Sequence, residues 1–318
     1  MISSSHKWDL DAFVSDVDAL IYGLGYESRC LEVARRTEAR LHYAIKMPSL
    51  DLHSYGENLK EADIRAHSIV DDFDAFLRRV LPDFFQTQGQ KNVRIGVDIS
   101  SINRAMLFRL MSVLAMHCRQ EDVVQIFYTP AAFDEPDWRF PQIESLGPIS
   151  PEFSGFSADP EKPLCLILGL GFEPGVSMGI ISQLEPSASF CFWGNGSDER
   201  FEDAVKKANF DFSFTGFNTL TRPYDLFDPI GTYTSLESLS YGLIRDFNVI
   251  LVPMGPKIFA FLSFLVGMAH PGSLAIWRAA QLRAQPFDAR AGESVIQVTL
   301  DARTLSLAAR QRHSLLAG

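Results

Sequence analysis

The segment Asp98-Ile-Ser-Ser-Ile-Asn-Arg104 places a carboxylate, two hydroxyls and a guanidinium within one short stretch. It directly follows an apolar run at 93–97 and opens an apolar helical pattern at 102–117. Asp98 can orient the turn, and Ser100 or Ser101 can cap the helix. Arg104, one turn in, can fork onto a phosphate. A plain capped helix start would use the same residues. A second cluster is Gly23-Leu-Gly25-Tyr26-Glu27-Ser-Arg29, after the apolar run 19–24. Its glycines permit a tight turn and close approach of a ligand to the backbone. Gly25 precedes a helical stretch, whose free N–H groups favour anions. Arg29 could face such an anion, and Glu27 suits a helix first turn for dipole reasons. Later in the chain stand Gly169-Leu-Gly171-Phe172, Gly194-Asn195-Gly-Ser197 and Pro253-Met-Gly255-Pro-Lys257. Asn195 could contact a ribose or base, whereas Ser197 reads as a helix cap. Lys257 sits between two apolar runs and either snorkels out or meets an anion at a helix start.

Other chemistries lack their residues. Gly-Leu-Gly-Tyr-Glu-Ser and Gly-Leu-Gly-Phe-Glu-Pro both miss the third glycine of a dinucleotide fingerprint, which argues against NAD or FAD. There is no GxxxxGK[ST], HExxH or GxSxG, and no histidine or cysteine set at metal-ligand spacing. Neither a cofactor nor a metal is expected. Cys30, Cys118, Cys165 and Cys191 form no CxxC pair and read as buried, reduced thiols. The formal net charge of −10 argues against a long nucleic acid as partner. Residues 249–269 are nearly all apolar and about the length of a membrane span. Pro253, Pro256 and Lys257 make a buried strand, a turn and a buried helix the better account, so no membrane partner is expected. The amino terminus, MISSSHKWDLDAF, has no apolar signal core, which points to the cytoplasm.

The clusters need elements to position them. Strand-like runs at 19–24, 41–47, 93–97 and 123–128 alternate with helical patterns at 27–38, 57–80 and 102–117. Seven of the 17 prolines fall in 130–163, which reads as a connector. Alternation then resumes, with strands at 164–168, 189–193, 249–252 and 274–277. The helices of this half are expected at 176–184, 198–208, 235–245 and 257–268. A last strand at 294–300 and a closing helix follow. Fully apolar strands alternating with helices signify a parallel sheet covered on both faces. The halves also resemble each other. Ile21-Tyr-Gly-Leu-Gly-Tyr-Glu27 and Ile167-Leu-Gly-Leu-Gly-Phe-Glu173 share five of seven residues, and 95–110 aligns without gaps on 250–265. The expectation is an α/β chain of two duplicated Rossmann-like parallel-sheet units, 1–150 and 151–318, packed as a pseudo-dimer. In open α/β sheets ligands bind beyond the carboxyl ends of the strands, where every cluster above falls.

The pattern Asp98-x-Ser100-x-x-x-Arg104 after a core strand resembles the motif of CARF domains, the CRISPR-associated Rossmann folds. The resemblance implies a sensor of nucleotides or cyclic oligonucleotides, with the ligand held between two paired domains. A duplicated chain would supply both halves, as in the related SAVED sensors, and would signal to a separate effector in prokaryotic antiviral defence. The second half departs from the motif, since Pro253-Met-Gly-Pro-Lys257 has neither the Asp nor the Ser. The expected ligand contacts are Gly23, Gly25, Tyr26, Arg29, Asp98, Ser100, Ser101, Arg104, Gly169, Gly171, Phe172, Asn195, Gly255 and Lys257. An alternative is a metal-independent ring nuclease or phosphodiesterase using Ser101 and Lys257 as catalytic candidates. A nucleoside or phosphoribosyl transferase on the same site is another. A purely structural partner protein is the third class, and the Ala/Arg-rich region 279–318 is where a protein effector would dock.

Overall fold

A computed structural model of the chain describes residues 1–48, 52–89, 91–155, 159, 161–210, 218–282 and 288–317. Pro160, one of the connector prolines, lies outside them. The chain divides into two compact units, Met1–Ala132 with Pro286–Arg310, and Phe133–Gln285 with Gln311–Gly318. Each carries its own sheet of mostly parallel strands, the α/β class expected.

The first unit contains β1 (Ile2–Asp9), β2 (Ser15–Leu24), β3 (Thr37–Lys46), β4 (Ser68–Val70), β5 (Arg94–Asp98), β6 (Val123–Tyr128) and β13 (Ser294–Asp301). They pair in the order β1-β13-β6-β5-β2-β3-β4. The run β6-β5-β2-β3-β4 is parallel, while β13 is antiparallel to both β6 and β1. The chain therefore moves outward from β2 to β3 and β4, then restarts on the other side with β5 and β6. Residues 286–310 count with this unit because β13 extends its sheet.

The second unit contains β7 (Gln142–Pro148), β8 (Leu164–Gly169), β9 (Ala188–Asn195), β10 (Thr219–Asp225), β11 (Asn248–Pro253) and β12 (Leu274–Leu282). The order is β10-β9-β8-β11-β12-β7, parallel except for β7. Here too the central strand precedes two on one side, and two more follow on the other. Residues 133–150 belong here because β7 pairs with β12.

Between the strands lie α1 (Glu32–Arg35), α2 (Tyr55–Ile64), α3 (Phe73–Ala75), α4 (Leu81–Thr87) and α5 (Arg104–His117). The second unit adds α6 (Val176–Leu184), α7 (Glu199–Ala208), α8 (Pro229–Leu243) and α9 (Lys257–Ala269), and α10 (Ala302–Ala317) follows β13. On α5 the buried residues Leu107, Phe108, Leu110, Met111, Leu114 and Ala115 recur at helical spacing and form one face. On α9 every residue from Ile258 to Met268 is buried, so the helix is apolar all round. That explains the long apolar run at 249–269 as β11, a turn and α9. Among the described residues no helix is long and apolar enough to cross a membrane.

Several elements differ from the sequence pattern. The helix expected at 57–80 is α2, then β4, then a helical run of α3, a π turn at Phe76–Val80 and α4. Ala66 at φ 56° ends α2, because a left-handed residue cannot continue a right-handed helix. The stretch 27–38 holds only a 3-10 turn, Ser28–Leu31, and the single turn α1. The edge strands β1 and β10 carry mostly polar or exposed residues and give no apolar run. The expected connector contains β7, whose prolines sit at strand ends. All four cysteines are buried and free, and burial pushes each thiol up to about 12.

One polar cluster is built into the β2–β3–β4 side. The Tyr22 hydroxyl meets His67 Nδ1 at 2.8 Å, and the His67 ring stacks on His42 at 4.2 Å. Burial, His42 and Arg65 together hold His67 down at about 4, against the opposing pull of Glu61. His42 is also lowered, chiefly by burial. A histidine kept neutral by the fold contributes stability above its ordinary pKa of 6.5 and loses it as pH falls. Urea midpoints should therefore hold above about pH 6.5 and fall between there and about pH 4. His67→Asn should flatten that slope, and an unchanged slope would show that His67 does not carry it.

Candidate functional site

The carboxyl ends of β2 and β5 lie side by side, with Tyr22 in register with Asp98. These strands flank the reversal of strand order, where open α/β sheets leave a crevice. Asp98 is the last residue of β5 and 1% exposed. Its carboxylate accepts from the Ser100 amide at 2.9 Å and from the Ser100 hydroxyl at 2.5 Å. Ser100 Oγ in turn accepts from the Thr129 amide at 2.8 Å, just past β6. Ile99 N–H donates to Phe127 O, so the turn after β5 is fixed to β6 by backbone as well.

Arg29 lies beneath this turn, 6% exposed. Its Nη1 donates to Thr129 O at 2.8 Å, its Nη2 to Ser100 O at 3.0 Å, and its Nε to Glu27 Oε2 at 2.9 Å. Burial alone would lower the guanidinium's pKa, but the Glu27 carboxylate reverses this and raises it. The same Glu27 oxygen accepts from Ser101 Oγ at 2.8 Å. One guanidinium thus joins the ends of β2, β5 and β6. The expectation that Arg29 faces a phosphate gives way to this inward role, because all three of these donor directions end on protein oxygens. Glu27, read from sequence as a dipole complement, is the hub that meets both Arg29 and Ser101.

The cap of α5 also differs from the expectation. Neither Ser100 nor Ser101 supplies it. Asn103 Oδ1 accepts from the Met106 amide at 2.9 Å, the usual Ncap geometry. Ser101 and Arg104, which follow the Asp98–Ser100 turn, are partly exposed, and the Arg104 Nε is buried. Tyr26 joins them from the end of β2, partly exposed, with its hydroxyl pKa raised by burial and by Glu27.

Neither a family model nor a curated protein matches this chain.

Gly23, Gly169 and Gly255 have packing reasons. A Cβ on Gly23 would lie 2.9 Å from Ile102 N and from Ser101 C, so β2 and the turn after β5 touch backbone to backbone. The second unit shows the same closeness. Gly255 is left-handed at φ 68°, and a Cβ there would lie 2.2 Å from Leu170 O. Gly169, Gly171, Phe172 and Gly255 are thus brought together at the ends of β8 and β11, with Asn195 ending β9 and Lys257 opening α9. The turn after β11, Pro253-Met-Gly-Pro-Lys257, carries neither an Asp nor a Ser. Lys257 opens α9 in this unit, and Ser101 lies in the first.

Two asparagines escaped the sequence reading. Buried Asn58, on α2, donates through Nδ2 to Gly25 O and Glu27 O, both at 3.0 Å. Buried Asn209, at the C-cap of α7, donates through Nδ2 to Gly171 O at 2.9 Å, and its Oδ1 accepts from Ser177 Oγ. No local pattern marks a residue whose partner lies 33 or 38 positions away. Thr129 could have been found, since it follows an apolar strand at its carboxyl end. Among the described residues no group of histidine, cysteine or carboxylate side chains is arranged to hold a metal.

Arg29→Ala should cost about 3–5 kcal/mol of stability, because Glu27 and two carbonyls lose their partner inside the fold. Arg29→Lys should restore little, since a lysine cannot fork onto three acceptors. Chemical denaturation checks both; a neutral Arg29→Ala would place the residue outside the structural core. Gly23→Ala should also destabilise, by about 1–3 kcal/mol, because backbone rather than a side-chain tip blocks the new methyl.

Proposed function

We propose that this chain is a nucleotide-binding module made of two copies of one Rossmann-like unit, and that the first copy binds its ligand at the carboxyl ends of β2 and β5. The observation that carries the reading is the buried Asp98–Ser100–Thr129–Arg29–Glu27 network. It immobilises the turn after β5 where strand order reverses and fixes Ser101 through Glu27, three residues before partly exposed Arg104. Fixed donors at the start of a 14-residue helix suit a phosphate. The ligand class, a nucleotide or cyclic oligonucleotide, comes from the resemblance of Asp98, Ser100 and Arg104 to the CARF motif. Within that motif Asp98 and Ser100 build the turn, and Arg104 is the member assigned to the ligand.

Duplication is supported by more than the repeated Gly-Leu-Gly. The second glycine of each repeat, Gly25 and Gly171, gives its carbonyl to a buried asparagine amide. In both units that asparagine belongs to the helix, or its cap, that follows the second strand of the parallel series. The strand orders around β2 and β8 also coincide.

A second reading, a metal-free phosphodiesterase, is favoured by one contact, the Ser101 hydroxyl on the Glu27 carboxylate at 2.8 Å. So held, Ser101 can orient a phosphodiester whose own 2′-hydroxyl attacks in line to form the 2′,3′-cyclic phosphate, while the 5′-oxygen leaves and takes up the proton that the 2′-hydroxyl gives up. Binding and turnover separate the two.

Calorimetry of the full chain against linear and cyclic oligonucleotides should find a phosphate-bearing ligand. Arg104→Ala should weaken it about tenfold or more, with the melting temperature nearly unchanged. Equal affinity in Arg104→Ala would remove Arg104 from the site, and no binding by any member of the panel would end the reading. Product formation in EDTA, abolished in Ser101→Ala, would favour the phosphodiesterase.

A further inference from the structure

We propose that Tyr26 and His53 form the base-stacking end of this site, so that the first unit takes a single nucleotide unit lying across the end of β2. The proposal rests on the nucleotide reading above and adds which residues meet the base. The Tyr26 and His53 rings stand 5.8 Å apart, inclined at 48°. Tyr26 belongs to the turn after β2, and His53 comes after β3, the neighbour of β2 on the side away from β5. Ser101 and Arg104 follow β5. Tyr26 precedes Glu27, whose carboxylate accepts from Ser101 at 2.8 Å, so the ring pair and the β5 turn are neighbours around the end of β2.

Two further features set this pair apart from an ordinary surface contact. The backbone of Tyr26 is held on every side. Asn58 Nδ2 donates to the carbonyls before and after it, and the Ser54 amide donates to its own carbonyl at 3.2 Å. A ring presented from a fixed backbone loses little freedom when a base stacks on it. His53, in contrast, is an exposed residue in the left-handed region at φ 47°. A side chain with a Cβ is strained there, and such strain persists where the surroundings impose it, often at ligand sites. Aromatic faces accept any base, so this end would supply affinity without strong choice among bases.

The test is calorimetry of the full chain with the four ribonucleoside 5′-monophosphates and with inorganic pyrophosphate. At least one nucleotide should bind more tightly than pyrophosphate. Tyr26→Ala should weaken that nucleotide about tenfold or more while leaving pyrophosphate unchanged. Tyr26→Phe should retain the nucleotide, because the ring and not the hydroxyl does the stacking. His53→Gly should lower the nucleotide-to-pyrophosphate ratio and, by relieving the left-handed turn, leave the melting temperature equal or higher. An unchanged ratio in Tyr26→Ala would overturn the proposal, as would an equal loss of both probes. Pyrophosphate binding with no nucleotide preference in the wild type would overturn this proposal alone. Failure of every probe to bind would overturn this proposal, and the nucleotide reading falls with it only where the oligonucleotide panel fails as well.

Discussion

A guanidinium taken out of water must find acceptors for its donors and a counter-charge, or the fold bears a cost of several kcal/mol. Arg29 meets that requirement with two backbone carbonyls and one carboxylate, drawn from the ends of three strands. Everything at the carboxyl edge of the first sheet follows from this. Ser100 O must point down toward Arg29, which turns the chain so that Ser101 lies above it. Glu27 pairs with Arg29 at 2.9 Å, and the same oxygen also receives the Ser101 hydroxyl. Asp98 then closes the turn through the Ser100 amide and hydroxyl, and α5 begins at a place set by buried bonds rather than by helix propensity.

The second constraint is backbone proximity. Gly23 and Gly255 mark where the loop after one strand presses on the loop or strand beside it, with no room for a methyl group. Of the glycines that resemble a phosphate-binding fingerprint, Gly23 and Gly169 thus have a mechanical cause, whereas a Cβ on Gly25 would meet only the Met47 side chain at 3.4 Å. The asparagine amides on Gly25 O and Gly171 O complete the arrangement by satisfying carbonyls that leave the sheet at a tight turn. A polar atom in such a turn needs a partner, and an asparagine from the following helix supplies it without adding charge.

The sheets were legible in the sequence because their strands are continuous apolar runs. β5, β6, β8, β9 and β11 lie within a few residues of where those runs fall. The edge strands were not, because an edge has one partner and partial exposure, and Ile2–Asp9 and Thr219–Asp225 read as polar loops. The long helical pattern at 57–80 misled because periodicity ignores the backbone reversal at Ala66. At the site, Asp98 orients the turn as its place after β5 suggests, while the inward direction of Arg29 has no local signature. Asp98, Ser100 and Arg29 are where strand ends put them, but all three turn inward. Direction depends on partners such as Thr129, which lies 100 positions from Arg29 and leaves no local trace.

That inward turn bears on how an acidic chain could take an anion. The net charge of −10 is spread over the whole molecule, and at physiological salt it is screened beyond about 8 Å. What a phosphate at the β5 turn would meet is local. Glu27 stands close to it, but its charge is balanced by buried Arg29 at 2.9 Å, in a setting where screening is weak. The Asp98 carboxylate is engaged with Ser100 and lies under the turn. Arg29 balances one of these acids, Glu27, while Asp98 is met by the neutral Ser100 amide and hydroxyl, so a phosphate here would depend on Arg104 and the opening turn of α5. The buried ion pair, in this view, does more than hold three strands together. It removes the repulsion that Glu27 would otherwise exert, while keeping Glu27 in place to fix Ser101.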